Sequence, residues 1–257
     1  MMNSAWRTRY EAAVDAAGKA AQLALRYFDI DVAVEWKEDD SPVTVADRQA
    51  EQLLRDSLLG TFPDDGFLGE EYGDKPGTSG YRWIVDPVDG TRSFVRGIPV
   101  WGTLVGLQSQ GELIAGIVIA PALRQTWRAL RGDGAYRGER RIRVSDVSEL
   151  SKATVFYTNL SWFERAGKTK QFLQLAAQTQ NQRGYGDFWG HMLVAQGAGE
   201  IMADHGLHVW DIAAIQPIVE EAGGRFSAWD GRPDIHRPDV LASNGKLHEA
   251  ALHILQS

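Results

Sequence analysis

Apolar residues recur with helical spacing at the start of the chain. Trp6, Tyr10, Val14, Ala17, Ala21, Ala24 and Phe28 share one face, and Ser4 ahead of them can cap the first turn. The period then changes. Val32, Val34 and Trp36 alternate with polar neighbours, which predicts a strand, and residues 38–42 read as a polar loop. A second helix is expected after Thr44, with Ala46, Ala50, Leu53, Leu54 and Leu58 facing inward. Short apolar runs follow at Phe67-Leu68, Trp83-Ile84-Val85, and residues 101–107, 113–120 and 126–130. Gln110-Gly111, Pro121 and Gly132-Asp133-Gly134 punctuate them, so they read as consecutive strands. The second half predicts strands at 153–157, 200–203 and 240–242. It predicts helices at 168–177, 188–195 and 210–222, and a last one ending near residue 254. Gly223-Gly224 stops the 210–222 helix, and Pro217 inside it predicts a kink or local break. Helices and strands mix throughout, which points to a layered α/β architecture.

Composition narrows the partners more than the fold. The 257 residues carry a formal net charge of -7. A nucleic acid or an anionic membrane would need a positive field, so neither is an expected partner. A small anionic substrate remains compatible, because a bound divalent cation can invert the local charge. The absence of cysteine excludes disulfides, thiolate metal sites and cysteine nucleophiles, and fits a reducing compartment. Residues 1–10 carry Trp6, Arg7 and Arg9 without an apolar run, and no stretch approaches the ~20 apolar residues of a membrane span. The expected location is the cytoplasm.

The densest chemical signal is Trp83-Ile84-Val85-Asp86-Pro87-Val88-Asp89-Gly90-Thr91. An apolar strand ends in one carboxylate, and a tight loop supplies a second three residues later. Hard divalent cations take such oxygen ligands, Mg²⁺ among them. Gly90 permits close backbone approach, and Thr91 offers a hydroxyl and an N–H near a possible helix start. A type I turn accounts for the same string, with Pro second and Gly last. Gly69-Glu70-Glu71 reads alone as a solvated acidic loop. Thr44 and Asp47 have the spacing of a capping box, and Asp211 after Trp210 could cap its helix or hold a cation.

Taken together, Gly69-Glu70-Glu71, Asp86-Pro87-Val88-Asp89-Gly90-Thr91, Trp210-Asp211 and Glu220-Glu221-Ala222-Gly223-Gly224 resemble the inositol-monophosphatase superfamily over roughly residues 12–244. The resemblance implies an αβαβα layered sandwich of the inositol-monophosphatase/fructose-bisphosphatase type. It implies a lithium-sensitive phosphomonoesterase with two or three Mg²⁺ per active site, acting on a small phosphorylated metabolite, and a homodimer. Glu70, Asp86 and the Val88 carbonyl would hold one metal, and Asp86, Asp89 and Asp211 a second. Thr91, supported by Asp47, would join Glu70 in positioning and deprotonating the attacking water, while Gly90 and Thr91 N–H groups hold the phosphate. Residues 1–145 would carry the main ligands, and residues 146–257 would complete the site within one compact unit.

Within that superfamily, residues 94–101, Ala120-Pro121-Ala122-Leu123 with Trp127, and Tyr185-Gly186-Asp187 are similar to the histidinol-phosphate phosphatases. Arg92 stands where many members carry Thr or Lys. Residues 184–211 contain Asp187, Glu200, Asp204 and Asp211 but no Lys or Arg. Histidinol phosphate carries an ammonium and a protonatable imidazole, with which Asp187 and Asp204 could pair; a bisphosphate would want basic residues. As a helix cap, Asp187 would have no such role, and Glu200 reads as a solvated turn residue. An inositol-phosphate or broad sugar-phosphate phosphatase is the alternative within the family, and a non-catalytic metal- or phosphate-binding regulator the alternative outside it. A zinc hydrolase finds no support, because all six histidines lie after residue 190 without a zinc-binding spacing. His191 reads as a packing residue, and His205 and His208 as solvated loop residues. The basic run 137–143 reads as an exposed edge strand. Trp101 and Trp210 are expected to flank the site.

Overall fold

The computed structural model describes residues 3–28, 34–36 and 42–257. The chain opens with α1 (Ser4–Leu25), β1 (Val34–Trp36), β2 (Pro42–Thr44) and α2 (Val45–Thr61). Next come β3 (Gly66–Gly69), β4 (Gly73–Lys75), β5 (Tyr81–Asp89), α3 (Thr91–Phe94), β6 (Gly102–Ser109), β7 (Glu112–Ala120), β8 (Gln125–Leu130), β9 (Gly134–Arg137) and β10 (Arg140–Arg141). After a 3₁₀ turn at Leu150–Lys152 follow β11 (Thr154–Phe156), α4 (Leu160–Arg165), α5 (Thr169–Gln178), β12 (Asn181–Arg183), α6 (Asp187–Ala195) and β13 (Ile201–His205). The chain closes with α7 (Val209–Ala213), α8 (Ile215–Glu221), β14 (Arg225–Ser227), β15 (Asp239–Ser243) and α9 (His248–Gln256).

Five layers result. An eight-stranded sheet runs β10-β9-β8-β7-β6-β5-β3-β4, parallel only between β3 and β5. A five-stranded sheet runs β12-β11-β13-β15-β14. Helices α1 and α2 cover the outer face of the first sheet, and α6, α7 and α8 fill the space between the sheets. Helices α4, α5 and α9 cover the second sheet from outside. Strand alternation sorts the side chains between layers: Trp83 and Val85 join the α1–α2 core, while Ile84 between them packs with Ala213 of α7. The structure therefore has the expected αβαβα sandwich.

One packing detail positions the site. Gly106 of β6 pairs directly with Gly116 of β7, leaving a patch without side chains. The junction of α7 and α8 rests on it. A Cβ on Gly116 would fall 1.9 Å from the Ala214 carbonyl oxygen, and one on Gly106 would fall 2.7 Å from Ala213. Pro217 has no N–H for the Ala213 carbonyl, so the helix predicted over 210–222 breaks at Ala214.

Several local expectations change. Asn3, not Ser4, caps α1, accepting from the Ala5 N–H at 3.0 Å. Val32 and most of the polar loop, residues 38–41, lie outside the described residues. Pro42 belongs to a strand paired with β1. Glu200 is buried rather than solvated; it accepts from Ser145 Oγ at 2.8 Å and the Thr154 N–H at 2.7 Å. The basic run does form an edge, with Arg140 and Arg141 exposed on the outermost strand and Ile142 turned into the core. Trp101 is fully buried against Phe94 and Phe28, behind the site rather than at its flank. Among the described residues no helix is long and apolar enough to cross a membrane.

Candidate active site

Asp86 and Asp89 stand three positions apart on one strand, a spacing that in regular pleating would send them to opposite faces. A bulge removes that conflict. Asp86 opposes Leu104 and Asp89 opposes Gly102, so β5 advances three residues while β6 advances two. Pro87, which has no N–H for the ladder, sits in the extra length. The Asp86 carboxylate accepts from the Val88 N–H at 2.9 Å, stiffening the bulge. Both carboxylates then turn toward α7, where Asp211 completes a group of three. One oxygen from each of Asp86, Asp89 and Asp211 lies within 4.8 Å of the others.

Each flanking acid is fixed by the chain. Asp211 accepts from the His208 N–H at 2.7 Å, so it caps α7 and joins the cluster at once. Asp89 accepts from the Phe188 N–H at 2.7 Å, tying the bulge to α6 in the second half of the chain. Asp47 likewise combines its two readings. It forms the capping box of α2 with Thr44, at 2.8 Å to the N–H and 2.6 Å to the hydroxyl, and its other oxygen lies 3.2 Å from Thr91 Oγ. That hydroxyl is also 2.9 Å from the Val88 carbonyl.

Asp86, Asp89 and Asp211 line a cavity of about 510 Å³ together with Glu70, Val88, Gly90 and Thr91. Burial raises Asp86 well above the usual carboxylate range, and Glu70, Asp89 and Asp211 push it further. Burial raises Asp89 too, reinforced by Asp187 and Asp211 against the Phe188 N–H. Burial carries Asp211 up to about 7 despite the His208 N–H, and it raises Asp47. Buried carboxylates this close are unstable as anions without a cation among them. The donor set is all oxygen, with neither imidazole nor thiolate, and so suits a hard divalent ion such as Mg²⁺.

The same cavity carries the other candidates. Asp187 does not cap α6: Gly186 holds the cap position, and no side chain bonds there. Asp187 instead takes φ +52°, and one of its carboxylate oxygens would lie 3.3 Å from a Cβ on Gly90. Burial raises it to about 6, moderated by Arg92. Asp204 also lines the cavity, but its oxygens are engaged by the Thr158 hydroxyl and the His205 N–H. Thr158 Oγ in turn accepts from the Asp187 N–H at 3.1 Å. Burial brings Asp204 to about 7.

Sequence reasoning missed part of this cavity. Arg92 and Arg165 enter the cavity from outside residues 184–211, so its lining is not free of basic residues. Trp162 and Ser161 come with Arg165 from α4, a helix signalled only by Asn159 as its N-cap. Nothing in its pattern says that it faces the acids. His205 ends β13 half-buried against Trp229, rather than lying in a solvated loop. His208 is exposed and stacks on Trp210 at 4.9 Å. His191 is buried beside Phe226, as a packing residue would be.

A model of the inositol monophosphatase family matches residues 5–257. The chain is 43% identical to a histidinol-phosphatase of Streptomyces coelicolor, over 90% of each chain. It is 42% identical to one of Mycobacterium tuberculosis, over 92% of this chain and 93% of that one. An inositol-1-monophosphatase of Rhizobium meliloti is 34% identical, over 83% of this chain and 82% of the relative. Among solved structures, the extragenic suppressor protein SuhB of Bartonella henselae superposes with a TM-score of 0.90 at 30% identity, covering 96% of this chain and 98% of that one. Fold, carboxylate cluster and likeness over nearly the whole length agree: the chain belongs to the inositol monophosphatase family and is a phosphoric monoester hydrolase.

Proposed function

We propose that the chain hydrolyses histidinol phosphate to histidinol and phosphate, with Mg²⁺ held by Glu70, Asp86, Asp89, Asp211 and the Val88 carbonyl. The observation that carries the substrate is Asp187. It is a half-buried carboxylate that caps no helix and lines the cavity beside Gly90. An ammonium or imidazolium is the natural partner for such an anion. The relatives named histidinol-phosphatase, at 42–43% identity, support the same choice over inositol-1-monophosphatases at 32–34%.

Bound Mg²⁺ supplies Lewis acidity, lowering the pKa of water and stabilising charge on phosphoryl oxygens. The remaining work falls to the chain. Thr91 Oγ, between Asp47 and the Val88 carbonyl, orients the attacking water with Glu70 and passes its proton toward Asp47. The Gly90 and Thr91 N–H groups hold the phosphate. Asp187 receives the cationic end of the alcohol. Asp204 contributes through Thr158, which accepts from the Asp187 N–H.

Arg92 and Arg165 in the cavity favour a second reading, in which an inositol phosphate or a broader range of sugar phosphates is hydrolysed. Phosphate release from histidinol phosphate, inositol phosphate, fructose bisphosphate and adenosine bisphosphate, with Mg²⁺ and with chelator, separates the two. Mg²⁺-dependent preference for histidinol phosphate is the expected result. Turnover of inositol phosphate a hundredfold faster would reject it.

Two coarser features belong to the same reading. Residues 1–145 and 146–257 act as subdomains of one unit, since each sheet draws its strands from one half. The working particle is a homodimer in the cytoplasm, and sedimentation equilibrium tests the first part.

A further inference from the structure

Glu51 is fully buried on α2, yet it belongs to none of the groups described above. Its carboxylate accepts from the Glu71 N–H at 2.7 Å and the Tyr72 N–H at 2.9 Å, one on each oxygen. These are the two residues that follow Glu70 in the turn leaving β3. On the other side of Glu70, a Cβ on Gly69 would fall 1.9 Å from Glu51 Oε1, so the carboxylate occupies space that only glycine leaves open. A buried anion is costly unless it is fully bonded, and charge-assisted bonds to backbone N–H groups are among the stronger ones. Such an anchor suits a backbone that must be held rather than one that merely turns.

We infer that Glu51 is the positioning residue of the cation site: it clamps the backbone on both sides of Glu70 and so fixes where the Glu70 carboxylate meets the metal. The inference rests on the reading of Glu70 as a ligand. Partners that orient metal ligands are typically worth about 10–100-fold in metal affinity. Glu51→Gln keeps the size but can accept through one oxygen only. It should weaken Mg²⁺ binding to the chelator-treated protein about tenfold by calorimetry, with KM for histidinol phosphate at saturating Mg²⁺ changed less than about twofold.

Gly69→Ala attacks the same clamp from the other side and should reproduce the effect even if the Glu51 variant folds poorly. Glu70→Gln is the control. If Glu70→Gln weakens Mg²⁺ binding while folded Glu51→Gln and Gly69→Ala bind as wild type, the clamp is refuted and the ligand reading stands. If Glu70→Gln binds Mg²⁺ normally, the ligand reading falls and takes the clamp with it. A Glu51→Gln effect on KM equal to that on Mg²⁺ affinity also overturns the inference, since it would mark general damage to the site.

Discussion

Asp187 and Asp211 each had an ordinary explanation as a helix cap, and the structure separates them. Asp211 does cap α7 and still offers an oxygen to the cluster, whereas Asp187 caps nothing. Replacing Asp187 with Asn should raise KM for histidinol phosphate at least tenfold more than KM for phenyl phosphate, whose alcohol portion carries no cation, in steady-state assays with saturating Mg²⁺. Equal changes would remove Asp187 from recognition. Asp211→Asn keeps the acceptor for the His208 N–H but removes a charge from the cluster. Activity should fall by about three orders of magnitude, as expected for a lost metal ligand.

Stability of the metal-free protein should move the other way. The folded Asp211 titrates near 7, above the ~3.9 of an unfolded Asp, so it takes up a proton on folding between those values. Its burden is absent below about pH 4 and complete above about pH 7. Melting of chelator-treated Asp211→Asn should therefore gain on wild type more at pH 8 than at pH 5.5.

At the scale of elements, backbone irregularity does the positioning. The bulge in β5 brings Asp86 and Asp89 to one face, and the break at Ala214 seats α7 on the Gly106–Gly116 pair with Asp211 at its first turn. Gly116→Ala would drive a methyl group into the Ala214 carbonyl. We expect a loss of about 3 kcal/mol in urea unfolding, and a kcat reduced with it, because the shift reaches Asp211 through one helical turn. The longer helices and most strands were legible in the periodicity, since burial on one face imposes it, whereas the short α3 and α4 were not. The proline in 210–222 announced a break, though not that it would fall three residues earlier, where the sheet leaves room. Three-residue edge elements such as β4, β12 and β14 are too short to leave a pattern.

For the whole molecule, the cluster bridges the two halves. Asp86 and Asp89 belong to the eight-stranded sheet, and Asp211 leads a helix that follows the last strand before it in the other sheet. An ion bound there links both, and binds only the folded state. Mg²⁺ should raise the melting temperature of chelator-treated protein, and more at pH 8 than at pH 5.5, where protons on Asp211 compete with it. An equal or reversed shift would count against the cluster as the binding site.

The sequence by itself determined the layered α/β class, the carboxylates on which the chemistry turns and the lack of any thiolate partner for them. Those properties depend on periodicity and residue type, which a chain carries before it folds. Only the tertiary structure decided that Asp86 and Asp89 share a face, that Glu200 and Glu51 are buried anchors, that Asp204 is spent on Thr158, and that Arg92 and Arg165 enter the same cavity. Each of these depends on which distant segments meet, and hydrogen bonds between residues 20 to 99 positions apart leave no mark in local spacing.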